Sequence, residues 1–406
     1  MKKFSKIEKR SVLALLMVVI LLILFFPNIV SASYAYNADN YESAGMNFML
    51  GQYYAREISY SEVSAEDSID LYDDESNVTA KILIINRDDF IDYVVLDFRA
   101  DRIDEFGFDQ SEFINLFYDK EQIMYAGTLN YAYYDNGQLK DIYGDNISEA
   151  VYLAEMREFK ASFDLDPGDS GYDGILNWNE LEIDVETSGN EIAEGGEIIR
   201  RAHAFVDGVT ESGVSNLIQF TSSNVYNSMY ELREGVTIND TCVATALTNL
   251  CLYYDALEMY PGLIVEDKYE TFISIIDYID FFDWNGDWET KTINGMTFYI
   301  GDQGYDCEPI YYGETSWTTV RRVINDGRPL LSAIYKAQAG ENFYHAVLIL
   351  GYDSYQYQYT YSGRVNSEMY YYLRISDGWD TSSAGRYIDF NGFYRSVEAI
   401  DLIISN

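Results

Sequence analysis

Histidine is the scarcest chemistry-bearing residue, with two in 406 positions, His203 and His345. A catalytic metal site built from several imidazoles is thereby excluded. Cysteine is nearly as rare, with Cys242, Cys251 and Cys307. An odd, low count does not describe a disulfide-stapled scaffold. Either Cys251 and Cys307 pair and leave Cys242 free, or all three are free; two unpaired structural thiols beside Cys242 is the favoured reading. No Gly-rich phosphate loop, zinc-spaced His/Cys cluster or solenoid-length repeat occurs. Basic residues are few, 27 against 67 acidic, for a net charge of −40. The acids are dispersed, so they read as a solvated surface that repels nucleic acid and anionic lipid.

Five of the basic residues, Lys2, Lys3, Lys6, Lys9 and Arg10, precede an uncharged run from Ser11 to Phe26, which small residues follow up to Ala32. A basic start, apolar middle and small-residue end make residues 1–32 a secretory signal peptide. The expected location is extracellular, with an uncleaved anchor as the alternative; no membrane association is expected once the signal is gone. Residues 33–78 form a polar segment, with Ala44 to Ile58 as an amphipathic helix. Residues 79–160 look like a small α+β domain. Its strands are Thr79–Ile85, Tyr93–Phe98 and Met124–Tyr134, and Glu105-Phe106-Gly107 and Asp135-Asn136-Gly137 read as turns. Residues 161–204 read as an acidic linker. Within it, Asp169, Asp173 and Glu180 take the first, fifth and twelfth places of a calcium-loop outline. Gly171 stands where a ligand is expected, so an ordinary acidic turn is favoured. Arg200-Arg201 reads as an exposed basic pair ending the linker, and residues 205–406 as a second domain.

That second domain holds the most informative stretch. Asn239-Asp240-Thr241 offers N-cap side chains, and Val243, Ala246, Leu247, Leu250, Cys251 and Tyr254 follow at helical spacing. Cys242 therefore sits on a first helical turn, where free N–H groups and the helix dipole favour a thiolate. On this stretch alone a buried core thiol is an equal alternative. Further helices are expected over Lys268–Phe281 and Thr318–Asn325. From Pro329 the chain is mostly strand: Leu330–Tyr335, Tyr344–Tyr352, Tyr355–Tyr361, Tyr370–Ile375, Tyr387–Phe390 and Ser396–Ile404. Helices first and antiparallel strands after make an α+β domain. His345 opens one strand run, and Asp377-Gly378-Trp379-Asp380 follows another. The 39 tyrosines concentrate in the strand runs, where a ring packs and a hydroxyl meets water.

Cys242-Val243-Ala244-Thr245-Ala246 with Tyr253-Tyr254, His345-Ala346-Val347 with Gly351-Tyr352-Asp353, and Asp377-Gly378-Trp379-Asp380 with Gly385-Arg386-Tyr387-Ile388 occur in the papain-like order. Together they resemble papain-like cysteine peptidases, most of all the streptopain family of secreted bacterial enzymes. Two positions depart from the pattern. Asp377 stands where Asn is usual, and the oxyanion glutamine of papain would fall on Val236. The resemblance implies a papain-like catalytic domain, helices packed on an antiparallel sheet, preceded by a pro-region-like domain. It also implies a zymogen, with the pro-region as an intramolecular partner, a peptide or protein as substrate and no cofactor. Cys242 would be the nucleophile, His345 the base and Asp377 its orienting partner, whose charge should keep the imidazole protonated to higher pH than Asn would. The N–H of Cys242 and Asn239 would serve the oxyanion, and Trp379 would shield the imidazole. His203 precedes the nucleophile and is set aside. The same residues would suit a peptidoglycan amidase or transglutaminase, and an inactive binding or adhesion protein could keep the fold. N-terminal sequencing of the exported protein is expected to start after Ala32 or Ala35; an intact Met1 end on the exported chain would overturn the cleaved-signal reading.

Overall fold

Alternating and helical patterns translate into a mixed α+β architecture in a computed structural model, which describes residues 38–99, 102–142, 144, 146–164, 196–207, 209–210, 213–214, 241–281, 288–313, 315–335, 344–361, 364–378, 385–390 and 397–406. The leader, the calcium-loop outline with Asp169, Asp173 and Glu180, and both Asn239 and Trp379 lie outside the described residues.

The N-terminal part runs α1 (Ala38–Ala55), β1 (Val63–Tyr72), β2 (Val78–Arg87), β3 (Phe90–Asp97), β4 (Arg102–Gly107), α2 (Ser111–Asn115), β5 (Met124–Tyr125), β6 (Tyr131–Asp135), β7 (Gln138–Asp141) and α3 (Glu149–Asp164). The polar stretch before residue 79 thus carries a helix and a full strand. Asn136 and Gly137 both take positive φ, 50° and 79°, and close the β6–β7 hairpin as an Asn-Gly pair should. Met124–Tyr134, expected as one strand, is broken in two, because Gly127 and Leu129 adopt positive φ and the chain folds back on itself. Glu105-Phe106-Gly107, expected as a turn, is instead buried strand, paired on one side with β3 and on the other with β15 (Arg386–Asp389).

The rest comprises β8 (Gly196–Phe205), β9 (Val209–Thr210), β10 (Gly213–Val214), α4 (Thr241–Ala256), α5 (Lys268–Phe281), α6 (Trp288–Asp302), β11 (Asp306–Tyr312), α7 (Trp317–Asn325), β12 (Leu330–Tyr335), β13 (Tyr344–Tyr361), β14 (Arg364–Ser376), β15 and β16 (Val397–Ser405). The face of α4 marked by its apolar period, Val243 through Tyr254, is buried. Ser316 caps α7, its hydroxyl accepting from the Thr319 N–H at 3.2 Å. The two strands expected on either side of Ser354 are one 18-residue strand. Its first half pairs with β12 and its second with β8, while β14 runs along the other side. Gly196–Phe205, read as the end of a linker, is therefore sheet.

Among the described residues one fourteen-strand sheet runs β11-β16-β12-β13-β14-β15-β4-β3-β2-β1-β5-β6-β7, with β8 on β13. The two regions expected as separate domains meet inside it, where Tyr387 pairs with Phe106. Helix α1 covers that seam. Phe48 packs on Phe106 and on Tyr372, and Arg56 lies over Phe106, Phe108 and Tyr387. Arg56 and Arg201 both bind Asp353, at 2.7 Å, and Arg201 also donates to the Ala55 carbonyl closing α1. Arg201 is thus a clamp between α1 and two strands, not an exposed basic residue. Withdrawing charges from water is tolerable because each is paired.

On β4, Glu105 is fully buried, accepting from the Tyr131 hydroxyl at 2.8 Å and from the Leu129 N–H. Burial pushes its carboxyl up to about 6 from an ordinary 4.5. Folding therefore favours the protonated acid. Its contribution is complete below the unfolded value and is lost as pH rises through about 6. Relative to Glu105→Gln, the wild-type protein is expected to lose on the order of 2 kcal/mol between about pH 4 and about pH 7. Urea midpoints across that range measure it, and parallel curves for the two proteins would contradict it.

Candidate active site

The start of α4 presents Cys242 as its second residue, half-buried, on a turn whose main-chain N–H groups lack helical acceptors. Thr245 and Asn249 follow one and two turns on, on the same helical face. Against that face lies the turn after β14. Gly378 there has φ +73°, and a Cβ on it would meet Thr245 Cγ2 at 2.6 Å. Glycine is required on both counts, and the turn that begins at Asp377 is thereby seated on the cysteine's side of the helix. Helix α4 also packs on β13, the strand that carries His345 near its start.

His345 and Asp377 are both buried and meet directly. The imidazole Nε2 lies 3.1 Å from the main-chain oxygen of Asp377. A carbonyl only accepts, so Nε2 carries the proton in this contact. A neutral ring in that tautomer would have Nδ1 to take a proton from a thiol. The group met in this contact is the peptide oxygen of Asp377, where the sequence pointed to its carboxylate. The carboxylate Oδ2 instead receives Nη1 of Arg386, both side chains being withdrawn from solvent. The reason is positional, since β15 pairs Arg386 with Ile375, two residues before Asp377.

The other sulfurs are chemically quieter. None of the three cysteines forms a disulfide, and burial pushes the Cys251 thiol up to about 12 and the Cys307 thiol up to about 11. Both are held as neutral thiols. His203 sits exposed on β8 opposite Asp353, eight residues along β13 from His345, and its ring lies 5.7 Å from that of Phe205. Among the described residues no three His, Cys, Asp or Glu side chains gather as a metal would need.

Sequence reasoning left Arg386 without a role. Its signal was an arginine inside an apolar strand run, Tyr387-Ile388 following it, where a buried cation must have an anion nearby.

Comparison with curated proteins gives no match. Residues 214–399, which include Cys242, His345 and Asp377, match the family model described as Peptidase_C39 like family, and this part of the chain is accordingly similar to cysteine peptidases of the papain-like type.

Proposed function

We propose that the protein is an exported cysteine peptidase resembling the streptopain family, hydrolysing peptide bonds through Cys242, His345 and Asp377. The observation that carries this reading is the imidazole of His345 held by Nε2 at Asp377, beside the helix whose first turn bears the half-buried Cys242. The family match over residues 214–399 supports the same chemistry.

His345 Nδ1 takes the proton of Cys242, and the thiolate attacks the peptide carbonyl carbon. A C–S bond forms as the carbonyl π pair moves to oxygen. The main-chain N–H of Cys242, aided by Asn239, stabilises that oxyanion. When the carbonyl re-forms, the C–N bond breaks and His345 gives its proton to the departing amine. Water then loses a proton to His345 and attacks the thioester carbon; a C–O bond forms, the C–S bond breaks to release the carboxylic acid, and His345 returns its proton to the sulfur. Asp377 fixes the ring throughout by engaging the opposite nitrogen, and Trp379 keeps water from that contact. The acidic surface, 67 carboxylates against 27 cations in the whole chain, suits neutral or basic peptides.

Iodoacetamide is expected to modify Cys242 well before Cys251 or Cys307 in the native protein, read by peptide mass mapping. Equal sluggishness of the three thiols would contradict an activated nucleophile. Cys242→Ala and His345→Ala are each expected to lower casein hydrolysis by at least about 10³-fold while the protein stays folded. Transfer to added amines without hydrolysis would shift the assignment to a transglutaminase.

A further inference from the structure

Arg386 joins the proposed site to the N-terminal strands. Side chains alternate along each strand, and the registers Arg386–Ile375 and Arg386–Gly107 put Asp377, Arg386 and Glu105 on one face of the sheet, spread over β14, β15 and β4. Arg386 is fully buried. Its guanidinium carbon lies 3.8 Å from the ring centre of Phe113, on α2, and Nη1 holds Asp377. Glu105 acts on the same guanidinium from β4. The seam leaves no slack, because a Cβ at Gly385 would lie 2.6 Å from the Phe108 carbonyl oxygen, and the Phe108 N–H donates to Gly385 O at 3.3 Å. Phe106 and Tyr387 stack in parallel at 4.9 Å on the other face.

We infer that Arg386 is a positioning residue for His345: seated on Phe113 of the N-terminal part, it pins the Asp377 carboxylate so that the adjoining carbonyl keeps the imidazole in its Nε2–H form. The inference rests on His345 being the base proposed above. It also makes the N-terminal strands a working part of the site. A segment released to switch the enzyme on would carry away β4 and Phe113, and with them the wall that holds Arg386. Loss of that part disables the site instead of unmasking it.

The test uses the full chain and avoids a lone buried charge by pairing Arg386→Met with Asp377→Asn, with Arg386→Lys and the remote Phe113→Leu as companions. Imidazole ¹⁵N spectra have only two histidines to resolve, and exposed His203 is the internal control. The wild-type His345 signal is expected to be a fixed Nε2–H tautomer. In the folded double variant it becomes a tautomer mixture, and Cys242 alkylation and kcat fall about ten-fold or more at unchanged KM. Arg386→Lys recovers part of the loss, and Phe113→Leu lowers kcat several-fold. A folded double variant with wild-type tautomer and alkylation rate overturns the positioning role. A wild-type protein whose tautomer depends on Arg386 but which hydrolyses nothing supports the positioning role and sinks the peptidase reading instead.

Discussion

A charge taken out of water must find its opposite, and the pair Arg386–Asp377 does so at the point where two halves of one sheet join. Neither member is free to move. Asp377 ends β14 and is followed by a glycine wedged against α4. Arg386 begins β15 with Phe113 under its guanidinium. This one contact anchors the residue whose peptide carbonyl meets His345 Nε2. The geometry of the imidazole follows from strand register and charge pairing more than from the helix that bears the thiol.

The same logic recurs on the far side of the seam. Asp353 lies eight residues after His345 on the same strand and is buried between Arg56 and Arg201. Removing one partner from such a cluster costs about 3–5 kcal/mol, because the remaining charge stays buried. Helix α1, β8 and β13 are thus held to one another by electrostatics as well as by apolar packing. Tyrosines complete the covering layer. Tyr355 and Tyr372 are fully buried and stacked at 5.9 Å, and Gln52 of α1 donates to the Tyr355 hydroxyl at 2.9 Å. A chain so rich in surface acid spends several of its few arginines inside, where each ties together segments far apart in sequence.

What the sequence discloses is local. The apolar period from Val243 to Tyr254, the strand runs after Pro329 and the Asn136-Gly137 hairpin are visible because each depends on neighbours within a few residues. Pairings between distant strands are not. Glu105-Phe106-Gly107 looks like a turn because an acid and a glycine flank it, yet burial is imposed by β15, nearly 300 residues on. Arg201 looks solvated because its partner Asp353 is 152 positions away. Strand β8 looks like linker since Arg200, Arg201 and His203 interrupt its apolar residues and its ladder is supplied by β13. The structure brings His345 and Asp377 together; Cys242 and His345 were singled out by residue scarcity and order, and Asp377 by its place at a strand end. Arg386 was not, because its meaning lies in what surrounds it.

The aspartate at 377, where the resembled family usually has asparagine, then has a physical account. An asparagine there could accept one hydrogen bond from Arg386 but would leave the guanidinium's charge unbalanced in a buried site, with Glu105 its remaining nearby anion. Aspartate balances it, and the carboxylate so engaged is no longer a charge offered wholly to the imidazole. Orientation is left to a neutral carbonyl, which serves as the amide oxygen of asparagine would. Charge at this position thus secures the sheet seam, while the contact that reaches the ring has the polarity of the usual residue.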